Sequence, residues 1–199
     1  MAKIIGLFSS AMIKKSETWQ HQIIKTKDDL KSWLESEKKH YFRELGPLYW
    51  LFCMTEKDFI WRYQKRLRKT EFYLNSNRMV RYLLSRIKLM RLSARLGINV
   101  RINSYGKGLR IVHISSIITS GDIGENYTAF PNTLIGEGTS GGNPVIGNNV
   151  TAYTGATIVG NITIANNIKI GANSFVNKSF LEEGVTIGGI PAHFLRKKS

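Results

Sequence analysis

From Ile111 onward an aliphatic or small residue falls on every sixth position. The first run is Ile111, Ile117, Ile123, Ala129 and Ile135; after one interruption it resumes at Ile146, Ala152, Ile158, Ile164, Ile170 and Val176. The fifth place of the later hexads is also small or aliphatic, at Val150, Ala156, Ile162, Ile168 and Ser174, and Gly, Asn and Thr fill much of the rest. A helix does not repeat every six residues, and an ordinary strand does not keep one register for so long. The pattern predicts a solenoid, whose coils each bury a face only against the next. Ile135 and Ile146 are not a multiple of six apart, so Gly136-Glu-Gly-Thr-Ser-Gly-Gly-Asn-Pro144 must leave the coil as a glycine-rich loop.

Residues 1–97 read as helical. Thr26-x-x-Asp29 and Thr55-x-x-Asp58 have the form of capping boxes, with Asp in the usual place of Glu. A third helix is expected from about Arg78 to Leu96, capped by Ser76 or Asn77 and stopped by Gly97. Its apolar stripe is read as Met79, Leu83, Ile87, Met90 and Ala94, with a basic stripe at Arg81, Lys88, Arg91 and Arg95. Tyr41, Phe42, Tyr49, Trp50, Phe52, Phe59, Trp61 and Tyr63 form an aromatic cluster expected in the core of the helical part or at a subunit interface.

Charge divides the chain in the same place. Residues 1–110 hold 24 Lys or Arg against 9 Asp or Glu; residues 111–199 hold 5 of each. The basic stripe therefore has three open readings: a solvated or subunit-facing surface, attraction to an anionic membrane or a phosphate-bearing substrate, or nucleic-acid binding. No recognised motif supports the last, and no nucleic-acid partner is expected. The single cysteine, Cys53, excludes an internal disulfide and fits a reducing cytoplasm, with peripheral attachment to the inner membrane face left open. Within Tyr49-Trp-Leu-Phe-Cys-Met54 it reads as a buried structural thiol. The apolar run Ile4 to Ile13 is followed, not preceded, by Lys14 and Lys15, the wrong order for a signal peptide. Scattered histidines and sparse carboxylates predict no metal site, and His21 and His40 have no partner spacing.

Ile146-Gly-Asn-Asn-Val150, Ile170-Gly-Ala-Asn-Ser174 and Gly189-Ile-Pro-Ala192 resemble the left-handed parallel β-helix acyltransferases. Within these, Gly106-Lys-Gly-Leu-Arg-Ile-Val-His113, Gly121 to Asn126, Gly136 to Ile146 and Gly155 to Asn161 look most like the serine acetyltransferase branch. The resemblance covers roughly residues 99 to 196. It implies an α+β chain, with an N-terminal α-helical domain over 1–97 and a left-handed parallel β-helix over 98–199, of about four coils. It also implies acetyl-CoA as co-substrate and a homotrimer with active sites between subunits, with pairing into a dimer of trimers left open.

Under that resemblance His113 matches the catalytic histidine. First and fifth places of a hexad point inward in this fold, so the third place, where His113 stands, points outward; a passive surface histidine is the competing reading. Imidazole titrates near neutrality and suits a general base for acetyl transfer to an alcohol. The aspartate that directly precedes this histidine in serine acetyltransferases is here Val112, and the orienting aspartate upstream has no counterpart in Ile98-Asn-Val-Arg-Ile-Asn103. Asn99, Asn103 or a backbone carbonyl is left to orient the ring. The family's acceptor-holding Arg-His pair aligns with Gly142-Asn143. These departures, with Leu67-Arg-Lys-Thr-Glu-Phe72 and the basic N-terminal half, favour a sugar hydroxyl of a surface polysaccharide or its precursor as acceptor. Serine O-acetylation, or a non-catalytic assembly or membrane-docking role, are the alternatives. Positions matching the CoA contacts are Gly136, Thr154, Gly155 and Ala172, with His193 and the tail Arg196-Lys197-Lys198 placed for the phosphates. Glu137 and Asn143 are the acceptor-side candidates.

Overall fold

The computed structural model describes residues 22–41, 55–139 and 141–196. His21, Phe42, Tyr49, Trp50, Phe52, Cys53, Lys197, Lys198 and the run from Ile4 to Lys15 lie outside the described residues. Among the described residues three helices come first: α1 (Lys27–Lys38), α2 (Glu56–Asn75) and α3 (Met79–Leu96). Fourteen short strands follow: β1 (Ile98–Val100), β2 (Arg110–Ile111), β3 (Ile117–Thr119), β4 (Asp122–Ile123), β5 (Thr128–Ala129), β6 (Thr133–Gly136), β7 (Val145–Ile146), β8 (Thr151–Ala152), β9 (Thr157–Val159), β10 (Thr163–Ile164), β11 (Lys169–Ile170), β12 (Phe175–Val176), β13 (Thr186–Gly189) and β14 (Ala192–Arg196).

The helix starts follow from local chemistry. Thr26 Oγ1 accepts from Asp29 N–H at 3.0 Å while Asp29 Oδ2 accepts from Thr26 N–H at 2.8 Å. Asp58 Oδ2 likewise accepts from the N–H and the hydroxyl of Thr55. Each bond satisfies a donor that the helix itself cannot. Helix α3 ends at Gly97, left-handed at φ 70°, where a side chain would be strained.

The start of α3 differs from expectation. Its N-cap is Arg78, with no side-chain cap bond. Ser76 instead closes α2, its hydroxyl donating to Phe72 O at 2.6 Å, and Asn77 takes the left-handed turn at φ 56°. The apolar stripe is also on the other face. Tyr82, Ser85, Leu89 and Leu96 are buried, while Leu83, Ile87, Met90 and Ala94 are exposed and Met79 is half-buried. Helix α3 is apolar on two faces, and the one that packs holds Ser85, which pairs with Thr70 of α2 (Oγ to Oγ1, 2.7 Å). Two small side chains there let the helices approach closely. Of the aromatic cluster, Tyr41, Trp61 and Tyr63 are buried and Phe59 is exposed.

The strands form three sheets around one core. The first holds β1, β3, β6, β9 and β12, the second β4, β7 and β10, and the third β2, β5, β8, β11, β13 and β14. Among the described residues all strand pairings are parallel except the closing β13–β14 pair. Every first-place hexad residue from Ile111 to Val176 is buried. The coil length can be read from a ladder of asparagines held in left-handed turns. Asn149 and Asn167 are 18 positions apart, and Asn126 and Asn149 are 23, each pair joined by an Nδ2-to-Oδ1 hydrogen bond of 3.0 Å. The longer step contains the predicted loop. Among the pairings from β2 to β12 one register departs from the hexad rule: Ile117 pairs with Thr133 and Thr119 with Ile135. A shift of two keeps the same faces inward, so Thr119 and Thr133 are buried, and Tyr105 Oη bonds Thr119 Oγ1 at 2.7 Å.

The helices cap the first coil. Arg68, fully buried, donates to Glu37 Oε1 through Nε (2.9 Å) and Nη2 (2.7 Å) and to Glu71 Oε2 (2.9 Å). It also donates to the carbonyls of Tyr105 (3.3 Å) and Gly106 (3.0 Å). Gln64 Nε2 donates to Leu109 O at 2.8 Å. Burial alone would lower the Arg68 pKa, but the Glu37 and Glu71 carboxylates outweigh it and hold the group above its ordinary value. Removing one partner of such a pair leaves a buried charge uncompensated. Arg68→Ala is expected to lose about 3–5 kcal/mol of unfolding free energy, measurable by urea titration; a loss within error would show that the cap carries no such weight.

Candidate active site

Strand β2 ends at Ile111, and His113 stands in the corner that follows, its side chain 58% exposed. β2 lies at the edge of the third sheet, and an edge strand has backbone groups to satisfy. Tyr41 supplies them: its hydroxyl accepts from Ile111 N–H at 2.8 Å and donates to Ile111 O at 3.1 Å. Ser115 Oγ accepts from Asn132 N–H at 3.1 Å, tying the corner to the next coil.

The partner of the ring is a carboxylate that the sequence reading did not identify. Glu56, the first residue of α2, places Oε2 at 3.1 Å from His113 Nδ1, while its Oε1 accepts the N–H of Ile114. The asparagines proposed for this task are elsewhere. Asn103 exchanges side-chain hydrogen bonds with Asn75 (2.8 and 3.0 Å) and donates its N–H to Glu71; Asn99 is exposed on β1. Partial burial pushes the Glu56 carboxyl up, but the Ile114 N–H, the His113 ring and Lys57 pull it further down, so it lies below the ordinary 4.5.

Thr154 and Gly155 follow β8, and Ala172 follows β11, both strands of the same third sheet as β2. Gly155 N–H donates to Pro131 O (2.9 Å) and Asn173 N–H to Thr154 O (2.8 Å), so these turns stack coil on coil. His113, Thr154, Gly155 and Ala172 therefore share one edge of the prism. Thr154 and Ala172 are exposed. Phe130 and Tyr153, not singled out by sequence, line the same edge with ring centroids 4.9 Å apart.

Gly136, Glu137 and Asn143 lie on a different edge, where β6 of the first sheet gives way to β7 of the second. Glu137 is exposed, and Asn143 Oδ1 accepts from Ser120 Oγ at 2.8 Å. Gly142 has φ 80°, and a Cβ there would lie 2.7 Å from that of Asn161. His193 is exposed on β14, five strands along the third sheet from β2, roughly 24 Å at about 4.8 Å per strand. Among the described residues no group of three or more His, Cys, Asp or Glu is placed to hold a metal ion. No helix among them is long and apolar enough to cross a membrane.

No family model matches the chain. Comparison with curated proteins finds the serine acetyltransferase of Buchnera aphidicola subsp. Schizaphis graminum, 35% identical over 124 residues, 59% of this chain and 47% of that protein. The chain thus spans about half the length of the curated relatives it matches. Among solved structures, Neisseria gonorrhoeae serine acetyltransferase superposes with a TM-score of 0.61 at 25% identity, covering 85% of this chain and 68% of that one. A serine acetyltransferase in complex with CoA superposes at 0.62 and 20% identity, over 85% and 71% of the two chains. The fold is an N-terminal helical part followed by a left-handed parallel β-helix.

The sign of the Glu56 shift gives a prediction. A carboxyl lowered in the folded state stabilises fully above its unfolded value and loses that contribution as pH falls through the folded one. The stability difference between wild type and Glu56→Gln should be present at pH 7 and be lost only as the pH falls from 4.5 through the lower folded value. Urea titrations across that range would test it; a difference that persists undiminished at the acid end of the range would contradict the assignment.

Proposed function

We propose that this chain, a hexapeptide-repeat protein of the serine acetyltransferase-like branch, is an acetyl-CoA-dependent O-acetyltransferase with His113 as general base. The observation that carries the reading is the exposed imidazole at the head of a prism edge, paired through Nδ1 to Glu56 and leaving Nε2 for the acceptor. His113 takes the proton of an acceptor hydroxyl as its oxygen attacks the thioester carbonyl. The tetrahedral intermediate collapses with loss of the CoA thiolate, which the imidazolium protonates. Thr154, Gly155 and Ala172 continue the same edge and suit the pantetheine arm, with His193 toward the phosphates. Support for acetyl-CoA as donor comes from the CoA complex of a protein of the same fold.

Gly136, Glu137 and Asn143 stand on another edge of the same prism, so one chain alone does not bring them to His113. A homotrimer, in which the loop of one subunit faces the His113 edge of the next, unites them. Sedimentation at assay concentration should find an active trimer; an active monomer would contradict it.

The relatives favour L-serine as acceptor over the carbohydrate suggested by sequence. A second reading, a sugar hydroxyl, keeps one specific support: Val112 and Gly142-Asn143 stand where groups that grip free serine are expected, and a site without such partners loses selectivity for them. Free-thiol release from acetyl-CoA, with L-serine, simple sugars or a lipid-linked oligosaccharide extract, separates the two. Turnover should fall about 10²–10⁴-fold in His113→Ala. Undiminished turnover in that variant would overturn the assignment of the base.

A further inference from the structure

We infer that Glu56 is the positioning residue of His113, so that the orienting carboxylate comes from the helical part and not from the β-helix. The inference rests on the acetyltransferase reading for its kinetic consequence but not for its structural one. Between Ile98 and Asn103, where the resemblance expects an orienting acid, the chain has none. The structure instead brings in a carboxylate from 57 positions away.

Its arrival there is fixed by register. Helix α2 runs along the first coil in the opposite sense: Arg68 meets Tyr105 and Gly106, Gln64 meets Leu109, and Glu56 meets His113 and Ile114. With two contacts pinned at Arg68 and Gln64, the first turn of the helix has one place to lie. Asp58, bonded to Thr55, fixes where that turn begins. Both Glu56 oxygens are committed, one to the Ile114 N–H and one to the ring. The backbone bond holds the carboxylate still while the other oxygen accepts from Nδ1–H. That selects the tautomer with the proton on Nδ1 and leaves Nε2 as the lone-pair nitrogen for the acceptor proton.

A glutamine has one acceptor oxygen for these two donors. With its oxygen on Ile114 N–H, its NH₂ faces Nδ1 and favours the opposite tautomer, in which Nε2 already carries a proton. The arrangement differs from a simple surface ion pair, which would be indifferent to tautomer.

The test uses the full chain. Nitrogen-15 long-range correlation spectra of the His113 ring, in the neutral form, should show Nδ1 protonated in wild type and the proton moved to Nε2 in Glu56→Gln. With whichever acceptor is turned over, kcat should fall about 10²–10⁴-fold, the range seen when an orienting carboxylate is made an amide or a general base is lost, with KM for acetyl-CoA changed less than about twofold. Urea titration at pH 7 verifies that the variant is folded, and Glu56→Ala serves as a second variant expected to show a mixture of tautomers. The same tautomer in all three proteins, or an unchanged kcat, overturns the inference. A tautomer change between wild type and Glu56→Gln, with the wild type silent toward every acceptor, leaves the positioning role standing and overturns the acetyltransferase reading instead.

Discussion

The fork made by Arg68 is the contact on which the rest of the molecule depends. A solenoid's first coil ends in a layer of backbone groups with no coil below them, and such groups must be satisfied if they are buried. Arg68 meets two of those carbonyls, at Tyr105 and Gly106, with a charged donor. A lone guanidinium could not be buried there. Glu37 from α1 and Glu71 from one turn further along α2 neutralise it, and the ring of Trp33 lies 4.8 Å from its Cζ. A buried ion pair adds little net stability over an apolar filling. What it supplies is register: five donors in a fixed plane fit this set of acceptors in one arrangement.

Register matters because the β-helix is otherwise repetitive. Its coils stack inward-facing Ile, Val and Ala almost interchangeably, and asparagine ladders join one corner to the next. The coil under the helices is set apart from the others. Tyr41, Gln64 and Arg68 bond its backbone at Ile111, Leu109 and Tyr105–Gly106. The candidate base sits at the end of that coil, with its ring against the first residue of the capping helix. Capping the solenoid and orienting the histidine are thus performed by the same helix.

How far the sequence discloses this differs by element. The solenoid is plain because six-residue spacing is a local property, and every first-place residue from Ile111 to Val176 is buried. His113 is legible for the same reason, since its place in the hexad makes it face outward. Helix α3 is the counter-example. Both Tyr82-Ser85-Leu89 and Leu83-Ile87-Met90 have helical spacing, and periodicity cannot say which faces the core; the polar Thr70–Ser85 pair at the packed face hid the answer. Glu56 was hidden differently. In the sequence it is one more acidic residue in the first turn of a helix, a place acids commonly favour. Only the docking of α2 gives it a partner.

The central claim is that the helical cap and the histidine corner form one cooperative unit. Native-state hydrogen exchange of the Ile114 amide, whose bond to Glu56 crosses from cap to coil, tests it most directly. The account predicts that Ile114 exchanges through the same opening, with the same free energy and denaturant dependence, as Leu67 in the middle of α2. An Ile114 amide exchanging at the rate of an unprotected backbone, while Leu67 stays protected, would contradict it.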